Sequence, residues 1–240
     1  MSSNPWQQMA KGRRYTADRR RQSGLTIIEL MISLVLGLII ISAVVNVYVG
    51  SSRSSRFTEG LRTMQENGRY GVSALQRGIR LAGYSPGIQI DPFDFTVADQ
   101  DSIVVRSQLP TDCNGQSTAA SGGIAVNTYR LDLTEWRIVC RGNSAAASDM
   151  PLVEGVYGFR VLYGIDDDGD AFSETYVPYD ASLDPLQVNS VRFALLVGSD
   201  GPIRTRSVEE THVLLDQEYA TNDRLSRRVF TTTVLLRNRR

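Results

Sequence analysis

From Leu25 to Val49 the only residues that resist hydrocarbon are Thr26, Glu29, Ser33, Ser42 and Asn46, and Arg19, Arg20 and Arg21 stand just ahead of the run. As a helix rising ~1.5 Å per residue, Leu30 to Val49 alone covers about 30 Å, the thickness of a bilayer core. The stretch therefore reads as a membrane helix. Glu29 is its anomaly, because an ionised carboxylate in such a helix costs about 2.5–3.5 kcal/mol even on lenient insertion scales. No cation lies within a helical turn of it on the same chain. Cutting the chain between Gly24 and Leu25 would create an α-amino group at the head of the helix, and a neighbouring copy could offer that charge to Glu29.

The zero net charge of the whole chain conceals a division. Residues 1–24 carry Lys11 and five Arg against Asp18, net +5, while the chain from Leu25 onward carries 20 Arg against 25 acids, net −5. Positive charge before a span holds that end in the cytoplasm and sends the chain beyond Gly50 across the membrane. An uncleaved signal anchor would account for the Arg cluster and the span but not for Glu29 at its spacing. A removable secretory signal has an h-region of only ~7–15 residues, so this run is too long, although Val49-Gly50-Ser51 imitates its cleavage site.

Gly24 followed by Leu25-Thr26-Ile27-Ile28-Glu29-Leu30 resembles the class III signal of type IV pilins and type II secretion pseudopilins. The resemblance implies cleavage after Gly24 by a prepilin peptidase, methylation of the new N-terminus on Leu25, and a requirement for Glu29 in assembly. Leu25 stands where Phe is usual.

Beyond Ser51 an apolar face continues through Phe57, Leu61, Met64, Gly68, Val72, Leu75, Ile79 and Ala82 at steps of three and four, the period of a helix. Its other side carries Arg53, Arg56, Arg62, Arg69, Arg77 and Arg80 against Glu59 and Glu66. Gly83 with Pro86 shortly after supplies a stop. The expected organisation is a leader at 1–24, a transmembrane half-helix at 25–50, an amphipathic half-helix at 51–82 and a β-rich head at 83–240. The interior Gly37, Gly60, Gly68, Gly71 and Gly78 each cost about 1 kcal/mol of helix propensity relative to Ala. Close packing against the head explains them better than hinges do.

In the head the period changes to two. Tyr157 to Ile165 and Val191 to Val197 alternate as strands, with further strands expected at 102–106, 124–133, 136–141, 175–177 and 229–236. No second helix is evident, and 112–123 and 142–150 read as loops. With 14 Arg against 22 acids in 83–240, the head is acidic, which works against a direct nucleic-acid interface.

The head resembles the PilW-type minor pilins and the related J-type minor pseudopilins. Arg80-Leu81-Ala82-Gly83-Tyr84, Leu152-Val153-Glu154-Gly155-Val156, Tyr163-Gly164-Ile165-Asp166 and the closing Val229-Phe230-Thr231-Thr232-Thr233-Val234-Leu235-Leu236-Arg237-Asn238 carry the resemblance. It implies an α+β, type IV pilin-like fold, in which antiparallel sheets pack on the second half of a long N-terminal helix. The implied protein is a single-pass inner-membrane protein with a cytoplasmic leader and a periplasmic head. It joins the minor-pilin complex that primes and caps a type IV pilus, with other minor pilins, the major pilin, a tip adhesin and the prepilin peptidase as partners. The alternatives are a minor pseudopilin of a type II secretion system, an adhesive or ligand-binding tip module, and a membrane-anchored hydrolase.

Cys113 and Cys140 are the only cysteines, and an exported head meets an oxidising compartment. A bridge between them would close a loop of about 28 residues and contribute on the order of 3.5 kcal/mol. With one distant histidine, His212, they fall short of a zinc ligand set. Asp166, Asp168, Asp170 and Glu174 present oxygens in a pattern that suits Ca²⁺, although Ala171 replaces the Gly and Val177 the bidentate Glu of an EF-hand. A related short Asp-rich turn follows the Tyr-Gly pair in many PilW-type proteins. The other reading is a solvated acidic hairpin tip turned by Gly169. No phosphate loop, shared histidine base or acid/base carboxylate pair is present. The reading is a structural protein with no catalytic residue and no required cofactor, Ca²⁺ being optional.

Overall fold

The computed structural model describes residues 24–238, so the basic cluster Arg19–Arg21 and the rest of the expected leader up to Ser23 lie outside it. One helix, α1, runs from Ile27 to Arg80. The chain divides into two compact units, 1–50 and 51–240.

In the first unit, α1 is long and apolar enough to cross a membrane, and the side chains from Ile27 to Tyr48 are exposed apart from half-buried Gly37. A helix apolar on every side has no core-facing stripe and suits a lipid environment. In the second unit, α1 buries Gly60, Met64, Gly68, Gly71, Ala74, Leu75 and Ile79. This differs from the expected apolar face at Phe57, which is exposed, and at Leu61 and Val72, which are half-buried. The centre of the seam is formed by glycines, because strands of the head approach the helix backbone there. A Cβ on Gly60 would meet Ile203, on Gly68 the Phe230 ring, on Gly71 Leu195 and Val153, and on Gly78 the Tyr129 ring. The interior glycines of this segment are packing positions.

Two antiparallel four-stranded sheets and a hairpin make up the head. The first sheet, in order β1-β2-β3-β4, comprises Ser102–Gln108, Ile124–Asp132, Arg137–Arg141 and Met150–Glu154. The second, in order β10-β7-β5-β6, comprises Arg227–Leu235, Val188–Gly198, Val156–Ile165 and Thr175–Pro178. Strands β8 (Val208–Leu214) and β9 (Gln217–Asp223) pair only with each other.

The main core joins Met64, Leu75 and Ile79 of α1 to Ile103, Ile138, Phe159, Val161, Phe193 and Leu195. On the opposite face of β7, Ala194 and Leu196 bury against Leu214, so the β8–β9 hairpin covers the second side of that sheet. Covering both sides explains why β7 is buried almost without alternation. Strand β4 begins inside the expected 142–150 loop, Trp136 lies in the β2–β3 turn with φ 50°, and a 3-10 turn occupies Ala119–Ser121 within the other expected loop.

Helix α1 ends as its punctuation requires. Gly83 adopts φ 73°, a left-handed conformation that glycine reaches without strain, and its N–H donates to Arg106 O at 2.9 Å. From the far end of the chain, the Asn238 amide donates to Arg80 O at 2.9 Å and to Ala82 O at 3.4 Å. The carbonyl of Arg80, the last residue of the helix, has no partner inside it and is thereby capped by Asn238, while Gly78 O and Ile79 O accept from Leu81 N and Ala82 N.

Candidate functional site

The expected processing junction lies outside α1. Gly24 and Leu25 are exposed, and nothing lies within 4 Å of where a Gly24 Cβ would stand. Thr26 then starts the helix: its Oγ1 accepts from Glu29 N at 3.3 Å and its carbonyl from Leu30 N at 3.2 Å. Thr26 is thus an N-cap whose side chain satisfies one of the four orphan N–H groups of the first turn. Glu29 is the third helical residue, the place of the acidic member of a capping box. Its negative charge also lies at the positive end of the helix dipole. The spacing Thr26-x-x-Glu29 is the signal in the sequence for this cap, and it gives Glu29 a local role besides the assembly role that the resemblance implies. Among the described residues none forms an ion pair with Glu29.

Cys113 and Cys140 are joined as a disulfide, with Cα atoms 6.4 Å apart. The bond ties the 112–123 loop to β3, and a polar network surrounds it. Cys113 N donates to Asn127 Oδ1 at 2.8 Å, while buried Asp112 accepts from the backbone of Asn114 and Gln116 at 3.0 Å and of Ser144 at 3.4 Å.

Between β5 and β6 the acidic turn brings Asp166, Asp168, Asp170 and Glu174 together, with one carboxylate oxygen of each inside a group no wider than 4.8 Å. The convergence comes from the turn's own amides. Asp166 accepts from Gly169 N at 2.7 Å and Ala171 N at 3.2 Å, Asp168 from Asp170 N, Asp170 from Phe172 N, and Glu174 from Asp167 N. Gly169 turns the chain at φ 81°, as its position suggests. Ala171 takes φ 70° although it bears a Cβ, a conformation that costs an ordinary residue roughly 1–2 kcal/mol.

His212 is the only histidine and belongs to β8. Burial pulls its pKa down, and Glu210 lies 3.7 Å from Nε2. His212, far in sequence from the acidic turn, belongs to the hairpin. No motif in the sequence singles out the buried cation Arg160. Its Nε and Nη2 donate to the two Asp216 oxygens at 2.7 and 2.6 Å, locking the β8–β9 turn to β5.

The family described as Type IV Pilus-assembly protein W matches residues 120–238, and the prokaryotic N-terminal methylation motif matches residues 19–45. No curated protein matches the chain. Among solved structures, a type IV-like pilin from Thermus thermophilus aligns at 15% identity and a TM-score of 0.44, over 73% of this chain and 97% of that one.

Proposed function

The chain belongs to the PilW family of type IV minor pilins, and on that premise we propose that it is cut after Gly24, methylated on Leu25 and built into the minor-pilin complex that starts and caps a pilus. The observation that carries the reading is the junction itself. A capped helix begins two residues after the exposed Gly24–Leu25 bond, inside the segment that matches the methylation motif, and Glu29 has no cation of its own among the described residues. In this reading the leader stays in the cytoplasm, α1 anchors the chain in the inner membrane and the head faces the periplasm until the fibre takes it up. The other minor pilins, the major pilin and a tip adhesin are its partners, and its work is structural.

In the membrane the Glu29 carboxylate is a penalty of a few kcal/mol. In an assembled fibre it meets the methylated amine of a neighbour's Leu25, in apolar surroundings where a charge pair is worth more than the ~0–1 kcal/mol of an exposed one. Glu29 then penalises the isolated subunit and rewards one axial offset. Two measurements test this. The N-terminus of protein recovered from cells should be methylated Leu25, and a start at Met1 or near Ser52 overturns the processing. Glu29→Ala should insert and be cleaved yet fail to co-purify with the other minor pilins, and normal co-purification overturns the pairing.

A further inference from the structure

The edge of a sheet presents a row of unpaired N–H and C=O groups, and folded chains cover or blunt such edges. Most edges of this head follow the rule. Along β1, Asp94 N donates to Val104 O at 3.2 Å and Arg106 N to Pro92 O at 2.9 Å, so the 92–94 segment covers it. Pro151 interrupts β4, β6 is four residues long and ends on Pro178, and the hairpin strands carry Glu209, Glu210 and Glu218. Over 229–235, β10 has none of these devices: the segment holds no proline and no charge, and its register with β7 is unbroken.

The phase of that ladder follows from the bonds that extend it at either end. Ser199 N donates to Ser226 O at 2.9 Å and Leu236 N to Asn189 O at 2.8 Å, so the even-numbered residues of β10 bond to β7. In an antiparallel ladder the residues between them point both backbone groups away from the partner strand. Val229, Thr231, Thr233 and Leu235 therefore turn N–H and C=O outward. Among the described residues no hydrogen bond reaches those groups, since Gln76 and Arg192 bond to the Thr232 and Thr233 hydroxyls instead. Thr231, Thr233 and Leu235 are exposed.

The surroundings select the partner. Although the head is acidic, no Asp or Glu occurs from Arg224 to Asn238. Arg224 and Arg228 before the open segment and Arg237 after it are exposed, and among the described residues none of the three forms an ion pair. A second copy of β10 would bring like charges together. Paired in parallel, Arg228 meets Arg228 and Arg237 meets Arg237; paired antiparallel, Arg228 lies beside Arg237. The geometry points to β10 as the acceptor edge for an extended segment of a different subunit, uncharged over the length of 229–235 and acidic at both ends. Main-chain bonds hold the added strand, and the arginines fix its register and exclude a cationic competitor. This adds a contact of the head to the proposed place in a minor-pilin complex. It uses neither the processing junction nor Glu29, so either can fail without the other.

The probe is a fluorescent peptide, DETVTVTVTED, titrated with full-length protein in detergent micelles and followed by anisotropy. Saturable binding is expected below about 1 mM, and the lysine-ended KKTVTVTVTKK should bind at least about tenfold more weakly. Thr233→Pro removes one outward N–H but none of those that bond to β7, and should weaken binding about tenfold or more, while Thr233→Val, which keeps the N–H, should bind like the parent. The exposed pair Arg228→Glu, Arg237→Glu should reverse the preference between the two peptides, which guards against a folding defect in the proline variant. On binding, the amides of Thr231 and Thr233 should exchange with solvent at least about tenfold more slowly. No saturable binding, or protection confined to other strands, overturns the edge. Equal binding of the two peptides overturns the acidic partner, as does a dimer of the protein alone that Thr233→Pro dissolves.

Discussion

Gly68 puts the packing of α1 on its head to the sharpest test. A Cβ there would stand 2.6 Å from Cδ2 of Phe230 on β10 and closer still to Cε2 and Cζ of the same ring, separations at which the ring must move. Two effects oppose each other in Gly68→Ala. Removing a glycine from a helix interior gains about 1 kcal/mol, while forcing extra volume into a packed contact typically costs 1–3 kcal/mol. The clash wins, because all three contacts fall well inside van der Waals distance and the ring is held between α1 and the sheet. The expected net loss is about 1 kcal/mol, or roughly 2–4 °C in melting temperature for a chain of this size. Thermal unfolding of the full chain in micelles, followed by near-ultraviolet circular dichroism, measures it. Phe230→Val removes all three ring atoms, so the double variant should show a coupling of about 1 kcal/mol relative to the two single changes. A raised melting temperature in Gly68→Ala, or additivity within ~0.5 kcal/mol, would refute the seating of the helix against β10.

The Arg160–Asp216 clamp should make the head sensitive to acid. The hydrogen bond from Arg160 holds the Asp216 pKa below its ordinary value, so the clamp contributes fully above the usual carboxylate range near pH 4 and is lost as the pH falls through the lower folded-state value. Asp216→Asn should cost about 1–2 kcal/mol at pH 7, discounted because Asp216 is 37% exposed while Arg160 is only 3% exposed. It should also remove that part of the acid lability, which unfolding midpoints at pH 3 to 7 would show. Replacing Cys113 and Cys140 by Ser should destabilise the head by about 2–3 kcal/mol, somewhat below the chain-entropy value, because the Asp112 and Asn127 hydrogen bonds still hold the loop. Two free thiols in exported protein would contradict the bridge.

The membrane run, the helix stop and the long strands are legible in the sequence because each leaves a periodic trace. Leu25 to Val49 is apolar on every side, Gly83 sits where a left-handed cap is needed, and β5 and β7 are rich in β-branched and aromatic residues. The β8–β9 hairpin leaves no such trace. Its sequence is polar because Leu214 is the one fully buried residue of its two strands, and its pairing rests on backbone bonds. The seam of α1 is legible only in part: the apolar period marks Met64, Gly68, Leu75 and Ile79, and Gly60 and Gly71 are reached only by reading the interior glycines as packing positions. Hydrophobic periodicity reports where large side chains lie, whereas this contact is closest where side chains are absent, so the pattern points to Phe57 and away from Gly60 and Gly71.

The candidate sites divide along the same line. The four acidic residues of the β5–β6 turn and the two cysteines can be read directly, since residue type and short spacing single them out. Arg160 cannot, because it meets Asp216 only where the β8–β9 turn lies against β5. Glu29 shows the converse: one residue whose local and long-range meanings coincide. As the acidic residue in the first turn it suits Thr26, the N-cap and the helix dipole within its own chain, a benefit of at most about 1 kcal/mol near water. In hydrocarbon that benefit falls short of the ~2.5–3.5 kcal/mol cost of the charge. Local capping therefore explains where the helix begins but not why a carboxylate is kept there, and a neighbouring subunit's amine would supply the unbalanced remainder.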